Sequence, residues 1–167
     1  MPAASSAAGY LVTRDKSHTA YRDSIKDFMQ RIGCGKYIIA VVSDKYMKSE
    51  YCMYEAYRMF QSPAFRERVF PIVLPETDIF SFDGQADYLL HWADALETLK
   101  TKLAKISQAS PAMAAPLTER LRDIEATTLF INDFMAQVAD MNVLTSGIHL
   151  ESGFEDLIAA IEARLEG

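Results

Sequence analysis

Two short, almost wholly apolar segments constrain the fold of this chain most strongly. Residues 37–42 are apolar without any polar alternation, and residues 68–74 form a second apolar run. Runs this short and this apolar are typical of parallel strands that are covered on both faces. A helical pattern lies between them, and the order strand, helix, strand predicts an α/β fold with a parallel sheet. Pro71 removes one hydrogen-bond donor from the second run, which indicates a bulge or an edge strand.

Further elements are predicted before and between these strands. Residues 10–14 are a strand candidate, residues 15–23 a polar loop, and a helix is expected from about Ser24 to residue 32. Gly33 and Gly35 end that helix. A second helix begins at about Lys45 or Ser49 and ends at Phe60.

The C-terminal half has a helical pattern. Two apolar seams recur at spacings of three and four and predict an antiparallel helical hairpin packed on the sheet. The seams are Leu89, Trp92, Leu96, Leu99, Leu103 and Ile106, then Leu117, Leu121, Ile124, Thr128, Ile131, Met135 and Val138. Residues 108–116 would connect the two helices. Residues 142–150 could hold a short strand, and residues 152–155 have the form of a capping box that opens a last helix.

Length and composition limit the class of protein. The 167 residues, half of them apolar, suit one domain, so we expect a disordered tail at residues 1–9 and a single domain at 10–167. That domain divides into an α/β core at 10–74 and a helical extension at 75–167. No apolar run is long enough to cross a bilayer, and the first residues lack the features of a secretory signal. Cys34 and Cys52 stand in no ligand-like cluster, so we expect neither metal nor disulfide, and a reduced cytoplasmic setting.

Charge is distributed unevenly along a chain whose net charge is −6. Residues 10–74 hold eleven Lys and Arg against seven Asp and Glu, whereas the rest holds six against sixteen. The first half therefore suits an anionic ligand slightly better, although ordinary scatter of surface charge is the simpler explanation. No basic stripe with interleaved aromatic residues is present, which argues against nucleic acid as a partner.

The candidate site residues follow the strand at 37–42. Ser43, Asp44 and Lys45 come directly after it, at the edge of the sheet where open α/β folds hold ligands. Glu55 lies on the next helix, at the border of its apolar side, where partial burial would raise the pKa of the carboxyl. The alternatives are an ordinary surface glutamate at position 55 and a helix N-cap at Asp44.

Several of these segments together resemble a bacterial Toll/interleukin-1 receptor (TIR) domain. The block at residues 43–55, Ser-Asp-Lys-Tyr-Met-Lys-Ser-Glu-Tyr-Cys-Met-Tyr-Glu, is the most specific. The segments at 15–16, 21–25, 32–36, 41–42 and 68–74 add to it. The resemblance covers about residues 9–74, and the helical half also resembles bacterial members.

The resemblance implies a flavodoxin-like fold and an activity. Enzymatic members cleave NAD⁺ at the nicotinamide–ribose bond and require a glutamate, often three residues after a cysteine, and Glu55 matches that position. It implies that Ser43, Asp44, Lys45, Tyr51 and Cys52 contact the substrate. It also implies that a loop with Asp15, Lys16, His18, Tyr21 and Arg22 mediates self-association. NAD⁺ is then a substrate, and no cofactor or metal is expected. The family often acts in bacterial immunity.

The resemblance also implies a gap at the start of the domain. The family's first strand and first helix have no counterpart in residues 1–9, so we expect a sheet that lacks its first strand. An incomplete gene start, a strand supplied by a partner, or a repacked remnant would each account for this. Two other functions remain open: a non-catalytic TIR module that signals or scaffolds through homotypic contacts, and a flavodoxin-like receiver or binding domain.

Overall fold

The computed structural model describes residues 37–141 and 146–165, and helices dominate them. In chain order the elements are β1 (Ile38–Val42), α1 (Asp44–Met47), α2 (Glu50–Phe60), α3 (Phe65–Arg68), β2 (Val69–Val73), α4 (Phe82–Ala109), α5 (Pro111–Asp140), α6 (Ser146–Glu151) and α7 (Glu155–Leu165). The tail, the strand at 10–14, the polar loop and the helix at 24–32 that the sequence predicts lie outside the described residues.

β1 and β2 form the parallel pair that the two apolar runs predict. Their register is continuous from Ile38 opposite Val69 to Val42 opposite Val73. Pro71 stands opposite Ala40 without a bulge. Among the described strands β2 has one neighbour, so its proline lies on an edge strand, where a missing N–H donor is tolerated.

Burial of β1 differs from the prediction of a strand covered on both faces. Ile38, Ala40 and Val42 are buried, whereas Ile39 and Val41 are 45% and 49% exposed. The two-face expectation is therefore wrong for β1. A run with no polar residue shows that both faces can be buried, but it does not show what packs on each of them.

The helical hairpin is confirmed, with a shorter connection than predicted. α4 and α5, of 28 and 30 residues, are joined by Ser110 alone, so residues 108–116 are not a loop. Pro111 occupies the first turn of α5, where its missing N–H needs no partner. α5 simply begins earlier than its composition indicates and carries Pro116 inside its N-terminal part.

The hydrophobic core lies where the hairpin meets the strand–helix unit. None of the predicted seam residues is exposed, and Trp92, Ile131, Met135 and Val138 are almost fully buried. α5 also buries a second row that the seam did not include, formed by Thr127, Phe130 and Phe134. The Phe130 ring contacts the rings of Tyr57 and Phe60, which fastens α5 to α2.

The C-terminal helix is confirmed, but its start is not the predicted capping box. α7 begins at Glu155, after Gly153 and Phe154 adopt φ values of 61° and 67°. The Ser152 hydroxyl donates to the His149 carbonyl instead of capping α7. The short strand expected within 142–150 is wrong for residues 146–150, which are helical. Between 37 and 141 and between 146 and 165, no helix is both long and apolar enough to span a membrane.

Candidate functional site

The candidate site begins at the carboxyl end of β1, where the chain turns into α1. The Ser43 hydroxyl accepts a hydrogen bond from the Tyr46 backbone N–H at 3.0 Å and caps α1. Asp44, which the sequence offered as an N-cap, is instead the first residue of the helix. Its carboxylate is therefore available for contacts with other elements.

Asp44 forms a cluster with Lys48, which follows α1, and with Tyr88 of α4; we call these three residues the Asp44 cluster. Its carboxylate accepts a hydrogen bond from the Tyr88 hydroxyl at 3.1 Å and pairs with the Lys48 ammonium at 2.8 Å. The hydrogen bond from Lys48 holds the pKa of Asp44 below its usual value, and the bond from Tyr88 lowers it further. Partial burial acts in the opposite direction but has a smaller effect than Lys48. Burial and the Asp44 carboxylate raise the pKa of Tyr88. Tyr88 was not predicted as a site residue, because it lies on α4 and no local pattern connects it to Asp44.

Three other predicted residues differ in exposure. Lys45 is exposed, Tyr51 is 55% exposed, and Cys52 is half-buried. The Cys52 backbone N–H donates to the Ser49 hydroxyl at 3.4 Å, so α2 begins with a side-chain cap. Lys45 and Tyr51 thus present their side chains to solvent, and Cys52 lies closer to the core.

Glu55 lies in the second turn of α2 and is half-buried, as its position beside the apolar side predicts. Its neighbour Ala56 is fully buried, and Met59, one turn further, is 5% exposed. Tyr46 of α1 is joined to the start of α2 through its carbonyl, which accepts from the Ser49 N–H. Burial raises the pKa of the Tyr46 hydroxyl, and coulombic interaction with Glu55 and Cys52 raises it further. Tyr46, Cys52 and Glu55 form what we call the Glu55 cluster.

A groove of about 190 Å³ lies on another flank of α2. Tyr51 and Tyr54 line it from α2, and Trp92 and Arg120 line it from the hairpin. Arg120 Nε donates to a carboxylate oxygen of Glu50 at 3.0 Å, and this contact raises the pKa of Arg120. Glu55 is not among the lining residues, but Tyr51, which lies one helical turn before it on α2, lines the groove.

The sequence also predicts that no metal is bound and that a polar loop mediates self-association. In the parts of the chain that the structure describes, no group of three or more His, Cys, Asp or Glu could hold a metal ion. The predicted assembly residues lie outside the described residues: Asp15, Lys16, His18, Tyr21 and Arg22. The structure thus places Ser43 and Asp44 at the start of α1, and Cys52 and Glu55 on α2. It adds Tyr88 as a partner of Asp44.

Comparison with protein families gives one match. Residues 5–109, more than half of the chain, match the model of the TIR domain. No curated protein and no solved structure matches the chain. The matched residues include every described element from β1 to α4, and with them the Asp44 cluster and the Glu55 cluster.

Proposed function

Because the chain belongs to the TIR domain family, we propose that it cleaves NAD⁺ at the nicotinamide–ribose bond, with Glu55 as the essential carboxylate. The observation that carries this proposal is the place of Glu55, half-buried on α2 and three residues after Cys52. TIR domains associate with one another, and we propose that such self-association assembles the active form.

The chemistry of this bond explains why a carboxylate is useful. Nicotinamide is positively charged while bound to the ribose and leaves as a neutral molecule, so no proton needs to be donated to it. Positive charge then builds up on the ribose ring, as in glycoside hydrolysis. An ionised Glu55 would stabilise that charge, and water would attack the sugar carbon to give ADP-ribose and a proton. Loss of one well-placed electrostatic group of this kind costs about 10²–10³-fold in rate.

The surroundings of Glu55 suit such a substrate. Partial burial of Glu55 lowers the local dielectric and strengthens its attraction for a positive charge. Tyr51 precedes it by one helical turn and exposes its ring on the neighbouring surface. The exposed ammonium of Lys45 would offer a positive charge to the pyrophosphate. In this proposal Ser43, Asp44 and Cys52 complete the contacts, and NAD⁺ is a substrate.

Nicotinamide release by purified protein tests the proposal. We expect Glu55→Gln to lower the release rate at least ~10²-fold, because glutamine keeps the shape of the side chain and removes its charge. Glu67→Gln is the matched control, since Glu67 is exposed on α3 and remote in sequence from the site. Equal release by the wild-type chain and Glu55→Gln would contradict the role of Glu55.

A second candidate function is a non-catalytic scaffold. The exposed Ile39 and Val41 on β1 favour it, because neighbouring apolar side chains on one face of a strand are a common protein-contact surface. Light scattering over a range of protein concentrations tests this candidate. Association that Ile39→Ser weakens, in a chain that releases no nicotinamide, would favour the scaffold over the enzyme.

A further inference from the structure

The Tyr46 hydroxyl is an orphaned polar group at the edge of the proposed site. Its oxygen is closed off from solvent and has no hydrogen-bond partner. In the described residues two other buried side-chain atoms share this property, on Gln137 and His149, and neither residue lies on α1 or α2. Of the three, Tyr46 is the one whose pKa the charge of Glu55, the proposed catalytic residue, raises.

An orphaned buried hydroxyl lowers stability, since it has lost its bonds to water and gained none in return. Such groups in folded proteins are uncommon, and each one calls for an explanation. The ring of Tyr46 packs against the hydrophobic core, where a phenylalanine would fit equally well. Packing therefore accounts for the ring but not for the hydroxyl.

The helix beside Tyr46 suggests what the hydroxyl is for. The Tyr46 carbonyl accepts a hydrogen bond from the Ser49 backbone N–H, which joins Tyr46 to the start of α2, and Glu55 and Cys52 of that helix act electrostatically on the Tyr46 hydroxyl. A phenol is a good hydrogen-bond donor to a carboxylate. A phenol and a carboxylate already form such a bond at the start of α1, where the Tyr88 hydroxyl donates to the Asp44 carboxylate at 3.1 Å.

Resting on the proposed function, we propose that Tyr46 is a positioning residue that donates a hydrogen bond to the Glu55 carboxylate when NAD⁺ is bound. Catalytic hydrogen bonds often form only in the complex with substrate, so an unmade bond in the free protein is consistent with this role. The bond would select one orientation of the carboxylate. It would also favour the ionised form that a developing positive charge requires.

Tyr46→Phe tests the proposal because it removes the hydroxyl and keeps the ring. We expect kcat for nicotinamide release to fall ~10–100-fold while KM changes little, since the lost bond orients Glu55 and does not bind substrate. The acidic limb of the kcat–pH profile should move to higher pH. A carboxylate that loses a donor to its charged form has a higher pKa. The thermal midpoint should not fall, because the hydroxyl has no partner in the free protein to lose.

Tyr57→Phe is the matched control. Tyr57 lies on α2 as Glu55 does, but its ring contacts Phe130 of α5. It should keep the wild-type kcat and pH profile.

The outcomes separate this proposal from the proposed function. If Glu55→Gln abolishes release but Tyr46→Phe has the wild-type kcat and pH profile, the role of Tyr46 is overturned and the proposed function stands. Activity lost together with thermal stability, without a shift of the pH profile, would assign Tyr46 a structural role and overturn the proposal. If the wild-type chain releases no nicotinamide, both the proposed function and this inference fail.

Discussion

The strand–helix unit at residues 38–73 and the helical hairpin at residues 82–140 are built in different ways. The unit consists of elements of four to eleven residues, with polar side chains at the carboxyl end of β1. The hairpin consists of two helices of 28 and 30 residues that pack along an apolar seam. The short elements carry Ser43, Asp44, Cys52 and Glu55, and both regions contribute buried side chains to one core.

Contacts across the boundary connect the two regions. The Trp92 indole donates to the Met47 carbonyl at 2.9 Å, and Tyr88 donates to Asp44. Both bonds run from α4 to α1, the short helix that carries Tyr46. The hairpin therefore holds α1, and with it the start of the proposed site, in position through these two bonds from α4.

Trp92→Ala should have the largest effect on stability. Trp92 is 1% exposed, and its replacement leaves a large cavity and removes the bond to Met47. We expect the free energy of unfolding to fall by about 3–5 kcal/mol. Urea denaturation followed by circular dichroism measures it. Leu129→Ala on α5 is the control, because Leu129 is 81% exposed and should change stability by less than about 0.5 kcal/mol.

Gly84→Ala should weaken the start of α4. A Cβ atom at this position would lie 2.0 Å from the Asp78 backbone oxygen, so the loop or the first turn of α4 must move. We expect a loss of about 1–3 kcal/mol, although alanine favours helices over glycine by about 1 kcal/mol. Thermal unfolding measures the loss. Gly153→Ala meets no atom within 4 Å, so its effect reports the cost of φ near 61° alone. Unchanged stability in Gly84→Ala would show that the contact between Asp78 and α4 is dispensable.

Much of this architecture could be predicted from the sequence, and the failures share a cause. The apolar runs gave β1 and β2, and the spacing of residues from Leu89 to Val138 gave the hairpin, because each of these patterns is local. One-sided burial of β1 and the second buried row at Phe130 depend on which elements pack together. Local periodicity does not contain that information.

The residues of the candidate site likewise fall into those that the sequence predicts and those that only the structure reveals. Ser43 and Glu55 could be singled out because one follows a buried strand and the other borders an apolar helix face. Tyr88 could not, since 44 residues separate it from Asp44. Tyr46 stands within the block of residues 43–55, but the burial of its hydroxyl depends on tertiary packing.

Asp44→Asn should change how stability depends on pH. The pKa of Asp44 is lowered in the folded protein, so its contribution is fully present above the unfolded value near 3.8 and is lost as the pH falls below it. The wild-type chain should therefore be more stable than Asp44→Asn at pH 7, by less than about 1 kcal/mol for a pair this exposed. The difference should vanish near pH 2. Thermal midpoints of both chains at the two pH values check this, and a difference independent of pH would contradict it.

Glu50→Gln should have the smallest effect. The Arg120–Glu50 pair links α5 to α2, but both side chains are more than 40% exposed. We expect a loss of about 0.2–1 kcal/mol that shrinks as salt is added. Glu125→Gln removes a comparable pair with Lys100 inside the hairpin and is the matched control. A much larger loss for Glu50→Gln would mean that this pair holds the two regions together.

The most direct test of the account is the rate of nicotinamide release per protein molecule, measured over a range of protein concentrations for the wild-type chain and Glu55→Gln. An enzyme activated by self-association predicts a rate per molecule that rises with concentration in the wild-type chain and stays near zero in Glu55→Gln. Release that is equal in both proteins, or absent from the wild-type chain at every concentration, would contradict the assignment of Glu55 as the catalytic carboxylate of an NAD⁺-cleaving TIR domain.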